Sequence, residues 1–145
     1  MQFIPVTDRQ QLDILRGKEA SYEELHCAYT DTYIEKLAGI LHNSHALQVI
    51  LKDGDLFVGY LAAAETLWKD HLTVVETFVA PDYQRKGIGS ILMEHAIGFA
   101  EKAGLRGVIV QTERGNLPAR KLYEKHGFRK FENPEWEGVS YALAF

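Results

Sequence analysis

A single cysteine, Cys27, rules out a disulfide within the chain. The opening Met1-Gln2-Phe3-Ile4-Pro5-Val6 lacks a basic stretch followed by an apolar core, so no export signal is visible. Both absences favour a reducing compartment and predict a cytoplasmic protein. Long hydrophobic runs are missing too: Leu56–Ala64 and Val139–Phe145 fall far short of the roughly 20 residues a membrane helix needs, and no membrane partner is expected. There is no excess of basic charge, since 16 Lys and Arg face 20 Asp and Glu for a formal net charge of −4. That balance argues against nucleic acid as a partner and suits a cationic one. His42, His45, His71, His95 and His126 are scattered without metal-ligand spacing, so no metal is expected. Cys27, set among apolar helix positions, reads as packing rather than as a nucleophile.

What remains is ordinary globular material. With 145 residues, 46% of them hydrophobic and 25% charged, the chain suits one domain, residues 1–145, around one core. Gln2–Val6 reads as a strand, and Thr7-Asp8 as the cap of a first helix carrying Leu12 and Leu15. Ser21 and Glu24 form a capping box ahead of one or two helices that end near His42-Asn43. Ala46–Lys52 and Leu56–Ala64 make a hairpin around Asp53-Gly54-Asp55, because Asp-Gly supplies the positive φ of a tight turn. The β-branched run Leu72–Ala80 stops at Pro81. One-face apolar spacing predicts a helix from Gly87 to about Ala103, Val108–Val110 is a buried strand, and a further helix runs from Asn116 to His126-Gly127. Phe128–Glu132 and Val139–Phe145 close the chain as a strand pair. This order predicts an α/β fold of the α+β type, a mixed and mostly antiparallel sheet with helices packed on it.

The sharpest local signal is Gln84-Arg85-Lys86-Gly87-Ile88-Gly89-Ser90, a strand-to-helix turn with two glycines at the first helical amides. Free amides, the positive end of a helix and the adjacent Arg85 and Lys86 all favour a pyrophosphate-like anion. A tight turn without a ligand also needs such glycines. A dinucleotide fold wants a third glycine where Leu92 stands, although Glu113 could imitate its ribose-binding acid; a P-loop lacks its lysine and its spacing.

Gln84 through Gly89 resembles the pyrophosphate loop of the GNAT superfamily of N-acetyltransferases, Gln/Arg-x-x-Gly-x-Gly/Ala. Asn116-Leu117-Pro118-Ala119-Arg120-Lys121-Leu122-Tyr123-Glu124-Lys125-His126-Gly127-Phe128 resembles its Asn-x-x-Ala-x-x-Leu-Tyr-x-x-x-Gly-Phe segment. The resemblance covers about Leu72–Glu132. It implies helices on both faces of the sheet and acetyl-CoA as cosubstrate, held by the loop, by main-chain groups near Phe78 and Val79 where two strands splay apart, and by Asn116, Ala119 and Tyr123. Asn116, Ala119 and Tyr123 share a helical face, with Leu122 expected to pack inward.

The family role of Tyr123 is to protonate the departing thiolate, and a phenol with an ordinary pKa near 10 keeps the proton that this needs. Periodicity alone reads it as a core aromatic. Glu76, on the same strand face as Phe78, is the candidate base, directly or through water; a solvent-facing carboxylate is the plain alternative. Glu113 could hold the amine, and Trp136, amid Glu132, Glu135 and Glu137, lies where relatives build acceptor pockets. The expected activity is direct transfer of an acetyl group to a primary amine, a small molecule in preference to a protein. A binding module without turnover is the alternative. The final strand could pair across a homodimer edge.

Overall fold

The computed structural model describes residues 1–16, 18 and 29–145. The capping box at Ser21, the helix positions around it and Cys27 lie outside them. Among the described residues, seven strands form one sheet in the order β1 (Gln2–Pro5), β2 (Leu47–Asp53), β3 (Leu56–Glu65), β4 (His71–Val79), β5 (Gly107–Thr112), β7 (Val139–Ala144), β6 (Arg129–Phe131). All neighbours run antiparallel except β4 and β5, which are parallel. The predicted mixed, mostly antiparallel sheet is therefore the one observed. No described helix is long and apolar enough to cross a membrane.

Each face of the sheet carries its own core. On one face, α2 (Ile88–Lys102) and α3 (Leu117–Lys125) cover Leu61, Leu72, Val108, Val110 and Tyr141. On the other, α1 (Asp31–Gly39) and a 3₁₀ turn over Arg9–Leu15 cover Ile50, Tyr60, Ala62 and Phe78. The first helix read from Leu12 and Leu15 is thus the tighter 3₁₀ form, started by a reciprocal capping box between Asp8 and Gln11. Ion pairs Arg9–Glu35 and Arg16–Asp31 tie this turn to α1. α1 continues as a 3₁₀ turn through His42, where the sequence predicts the end of the helical region.

Two irregularities shape the centre of the sheet. Ala62 pairs with Glu76 and Ala63 with Val74, so Val75 is an extra residue in β4. Side chains alternate along a strand, and the bulge reverses that alternation. Leu72 and Val74 face α2, whereas Glu76 and Phe78, also even-numbered, face α1. The second irregularity is the parting of β4 from β5. They pair only at His71–Gly107, Leu72–Val108 and Thr73–Ile109, although β4 continues to Val79 and β5 stays paired with β7 through Thr112.

The final strand corrects one expectation. β7 is not a sheet edge: β5 flanks it along its whole length and β6 pairs with Ser140–Ala142 on its other side. The apolar sequence that suggested an edge for dimer pairing is accounted for by burial inside the sheet, where Val139 and Tyr141 join the helix-side core.

Candidate active site

Where β4 and β5 separate, the sheet opens into a cleft of about 570 Å³. One wall is the unpaired length of β4 from Val74 to Val79, the other is Val110–Thr112 with Asn116, Ala119, Leu122 and Tyr123, and the floor at the helix side is Gln84–Ser90 without Lys86. Among the described residues no strand pairs with the β5-facing edge of β4 beyond Thr73; side chains take the Thr77 amide and the Val79 carbonyl there, and the backbone groups without such a partner are open to water or a ligand.

The loop at the mouth is built around α2. Gly87 caps the helix at φ +83°, a left-handed conformation that glycine takes without the clash of a side chain, and no side chain caps the helix start. The first turn carries no acid. Its free amides and dipole therefore meet the cleft uncompensated, over a helix of 15 residues. Gly89 serves a different need: a Cβ there would come within 3.2 Å of Leu122 Cδ2, so its hydrogen lets α3 approach α2. Gln84 donates from Nε2 to the carbonyl of Val79 at 3.2 Å, joining the loop to the end of β4. Arg85 lines the cleft, while Lys86 turns aside to lie 5.4 Å from the ring centre of Tyr83.

Glu76 is buried, only 3% exposed, which replaces the reading of a solvent-facing carboxylate. Its Oε2 accepts from the Tyr33 hydroxyl at 2.6 Å and its Oε1 from the Thr77 amide at 3.1 Å. Burial raises its pKa, and hydrogen bonds from Tyr33, Thr77 and Tyr29 pull the other way. The outcome is a carboxyl group poised above the ordinary range, which favours proton exchange nearer neutrality. Tyr33 and Tyr29 carry no motif, and only their helical spacing on one face hints at a joint role.

Tyr123 sits opposite. It is 8% exposed and its ring packs against Phe128 and Tyr141, with centroids 6.0 and 5.6 Å apart. The core-aromatic and cleft-lining readings both apply. Burial first, then the Glu76 charge and then Tyr141, push its pKa up to about 12, so its phenol stays protonated at neutral pH. Leu122 packs against the helix-side core as expected but stays partly exposed, lying between α3 and α2 beside Gly89, while Tyr123 is the more deeply buried of the two. Asn116 caps α3, its side chain accepting from the Ala119 amide at 3.3 Å, and lines the cleft beside it.

The structure thus brings together Glu76, Phe78, Val79, Gln84, Arg85, Gly87, Ile88, Gly89, Ser90, Asn116, Ala119 and Tyr123. It leaves out Glu113, whose carbonyl receives the Asn116 amide, and Trp136, whose ring lies against Gly138. Arg114, next to Glu113 in sequence, donates to the Glu137 carbonyl at 2.9 Å and so ties the loop after β5 to the one before β7.

The geometry agrees with comparisons to known proteins. The model of the acetyltransferase (GNAT) family matches residues 10–128. Streptothricin acetyltransferase of Streptomyces lavendulae is 35% identical over 86 residues, 59% of this chain and 45% of that protein. The ribosomal protein bS18-alanine N-acetyltransferase of Escherichia coli K12 is 39% identical over 61 residues, 42% of this chain and 41% of the relative. The matched segments thus span less than half the length of these relatives. Among solved structures, a Bacillus subtilis acetyltransferase in complex with CoA superimposes with a TM-score of 0.70 at 19% identity, covering 99% of this chain and 98% of that one.

Proposed function

The chain belongs to the acetyltransferase (GNAT) family, and from that premise we propose that it transfers an acetyl group from acetyl-CoA to a primary amine within one ternary complex. The observation that carries this reading is the parting of β4 from β5, which puts an uncapped helix start, a strand edge without a strand partner, a buried carboxyl group and a protonated phenol around one cleft. Each matches a part of the donor: anionic phosphates for the amides of α2, an amide-bearing arm for the β4 edge, and a sulfur for the phenol. Acetyl-CoA supplies an activated thioester carbonyl, and the protein's residues hold it and manage protons.

An ammonium cannot attack a carbonyl, so the acceptor must first lose a proton. Glu76, with its raised pKa, takes that proton directly or through a water and passes it to solvent. Nitrogen then bonds to carbon as the carbon–sulfur bond breaks. The second proton leaving nitrogen balances the one that Tyr123 gives to sulfur, so the products are an amide and a free thiol. In this reading the backbone N–H of Val79, on the length of β4 that has parted from β5, stabilises the developing oxyanion. The acceptor is a small cationic amine in preference to a protein, a choice that the buried carboxylate and the net charge of −4 support.

The test is thermal stabilisation by acetyl-CoA, with CoA and NAD as controls, on the wild type, Gly87→Glu and Gly87→Asn. Asparagine tolerates a left-handed backbone, so it separates strain from blockage of the anion site. CoA ligands alone should raise the melting temperature, in the wild type and the asparagine variant but not in the glutamate one. No shift with any ligand on folded protein overturns the assignment. Free-thiol release with streptothricin, spermidine and an alanine-terminated peptide then sorts the acceptor class.

A further inference from the structure

The nine-residue helix α3 has one buried side chain, that of Tyr123. Its rotation about its own axis therefore decides where the Tyr123 hydroxyl points. Tyr141 on β7, itself fully buried, touches that helix twice over. Its ring meets the Tyr123 ring edge-on at 5.6 Å. Its hydroxyl donates to Glu124 Oε1 at 3.0 Å and accepts from Arg120 Nε at 3.2 Å.

Arg120 and Glu124 are four residues apart and so lie above one another on one helix face, flanking Tyr123 in sequence. A single oxygen bonded to both fixes the helix against rolling, which neither contact does alone. The network reaches further: Arg120 Nη1 donates to the Arg114 carbonyl at 3.0 Å, and Arg114 Nε to the Glu137 carbonyl at 2.9 Å, two residues before β7 begins. On its opposite flank α3 rests on α2 through Leu122 and Gly89.

We propose that Tyr141 is a positioning residue for Tyr123: its hydroxyl, through Arg120 and Glu124, holds α3 at the rotation that turns the Tyr123 hydroxyl into the cleft. The proposal rests on the reading of Tyr123 as proton donor for its catalytic meaning, but the geometric claim stands apart from it. Misplacing a reacting group by about 1 Å can cost about 100-fold in rate, so a small roll of α3 is enough to matter.

The variants are Tyr141→Phe, which keeps the ring, and the exposed pair Glu124→Ala and Glu124→Gln, of which only glutamine keeps an acceptor oxygen. NMR of protein labelled at the tyrosine ζ-carbon reads the Tyr123 environment without any ligand. The Tyr123 resonance should shift or broaden in Tyr141→Phe and Glu124→Ala and stay in place in Glu124→Gln. An unchanged resonance in the first two overturns the proposal, as does an equal change in all three. Turnover gives a second readout: Tyr141→Phe should lower kcat about tenfold, with KM for acetyl-CoA unchanged, and add nothing in a Tyr123→Phe background. Additive losses there mark a role independent of Tyr123 and sink the inference. If Tyr123→Phe itself leaves turnover intact, the proton-donor reading falls instead, and the NMR result still decides the positioning claim.

Discussion

The hydroxyl of Tyr33, on a helix packed against one face of the sheet, lies 2.6 Å from Oε2 of Glu76, the residue just past the bulge in β4. The bond turns a buried acid into an oriented one. It also partly offsets the desolvation that raises the carboxyl pKa. In the proposed role of base Glu76 must be deprotonated to act, so under that proposal this one hydrogen bond bears on the pH range of activity.

Replacing Tyr33 with phenylalanine removes that support and moves the acidic limb of kcat/KM to higher pH. Activity below neutrality should fall and return at alkaline pH. A pH profile on wild type and variant checks this; a uniform loss at every pH contradicts it.

Glu76 also sets a stability dependence. Its folded pKa is raised, so the folded state holds this proton more tightly than the unfolded one. Stability owed to this group is therefore lost as pH rises from the ordinary carboxylate value, 4.5, towards the raised folded value. In Glu76→Gln that loss is absent, while kcat drops about 100-fold or more. Urea melts of both proteins across this pH range give the comparison, and parallel curves would refute the sign.

Tyr123→Phe should lower kcat about 100-fold with little change in KM for acetyl-CoA. It should not lower the melting temperature, because none of the causes that shift the phenol is a hydrogen bond to protein, and its ring contacts remain. With its pKa pushed up to about 12, the wild-type phenol causes no alkaline fall in rate around pH 10, where an ordinary tyrosine titrates.

Two glycines separate by their surroundings. A Cβ on Gly59 would stand 2.9 Å from the Phe78 carbonyl oxygen, a backbone atom that cannot step aside, so Gly59→Ala should destabilise the fold by about 1–3 kcal/mol. Gly98, within α2, has nothing within 4 Å of that position, and Gly98→Ala should stabilise it by about 0.5–1 kcal/mol. Thermal melts of the two variants check both signs.

Much of the helix-side half of the site was legible in the sequence, because its chemistry sits in two contiguous segments. The turn at Gln84–Ser90 and the run from Asn116 to Phe128 fold locally, with signals that glycines and caps state outright. The acceptor side was less so. Glu76 could be placed on a face with Phe78 by alternation, yet its burial and its partner Tyr33, 43 residues away, depend on how α1 docks. Glu113 and Trp136 read as substrate residues from their neighbourhood in sequence, and neither is among the residues lining the cleft. The parity change at Val75 left no mark, since a β-branched residue suits a bulge and a regular strand alike.

That parity change has a practical meaning for anyone exchanging parts between members of the family. β4 is written in two frames, one on each side of Val75. A transplanted stretch that brings its own bulge keeps its wall chemistry, whereas one joined a single residue out of frame would turn Glu76 towards α2 and Val79 towards α1. The acid would then face the hydrophobic core under the helices, and that wall of the cleft would lose its carboxyl group. Alignments used to choose such junctions should therefore be anchored on the bulge, ahead of any residue identity along the strand.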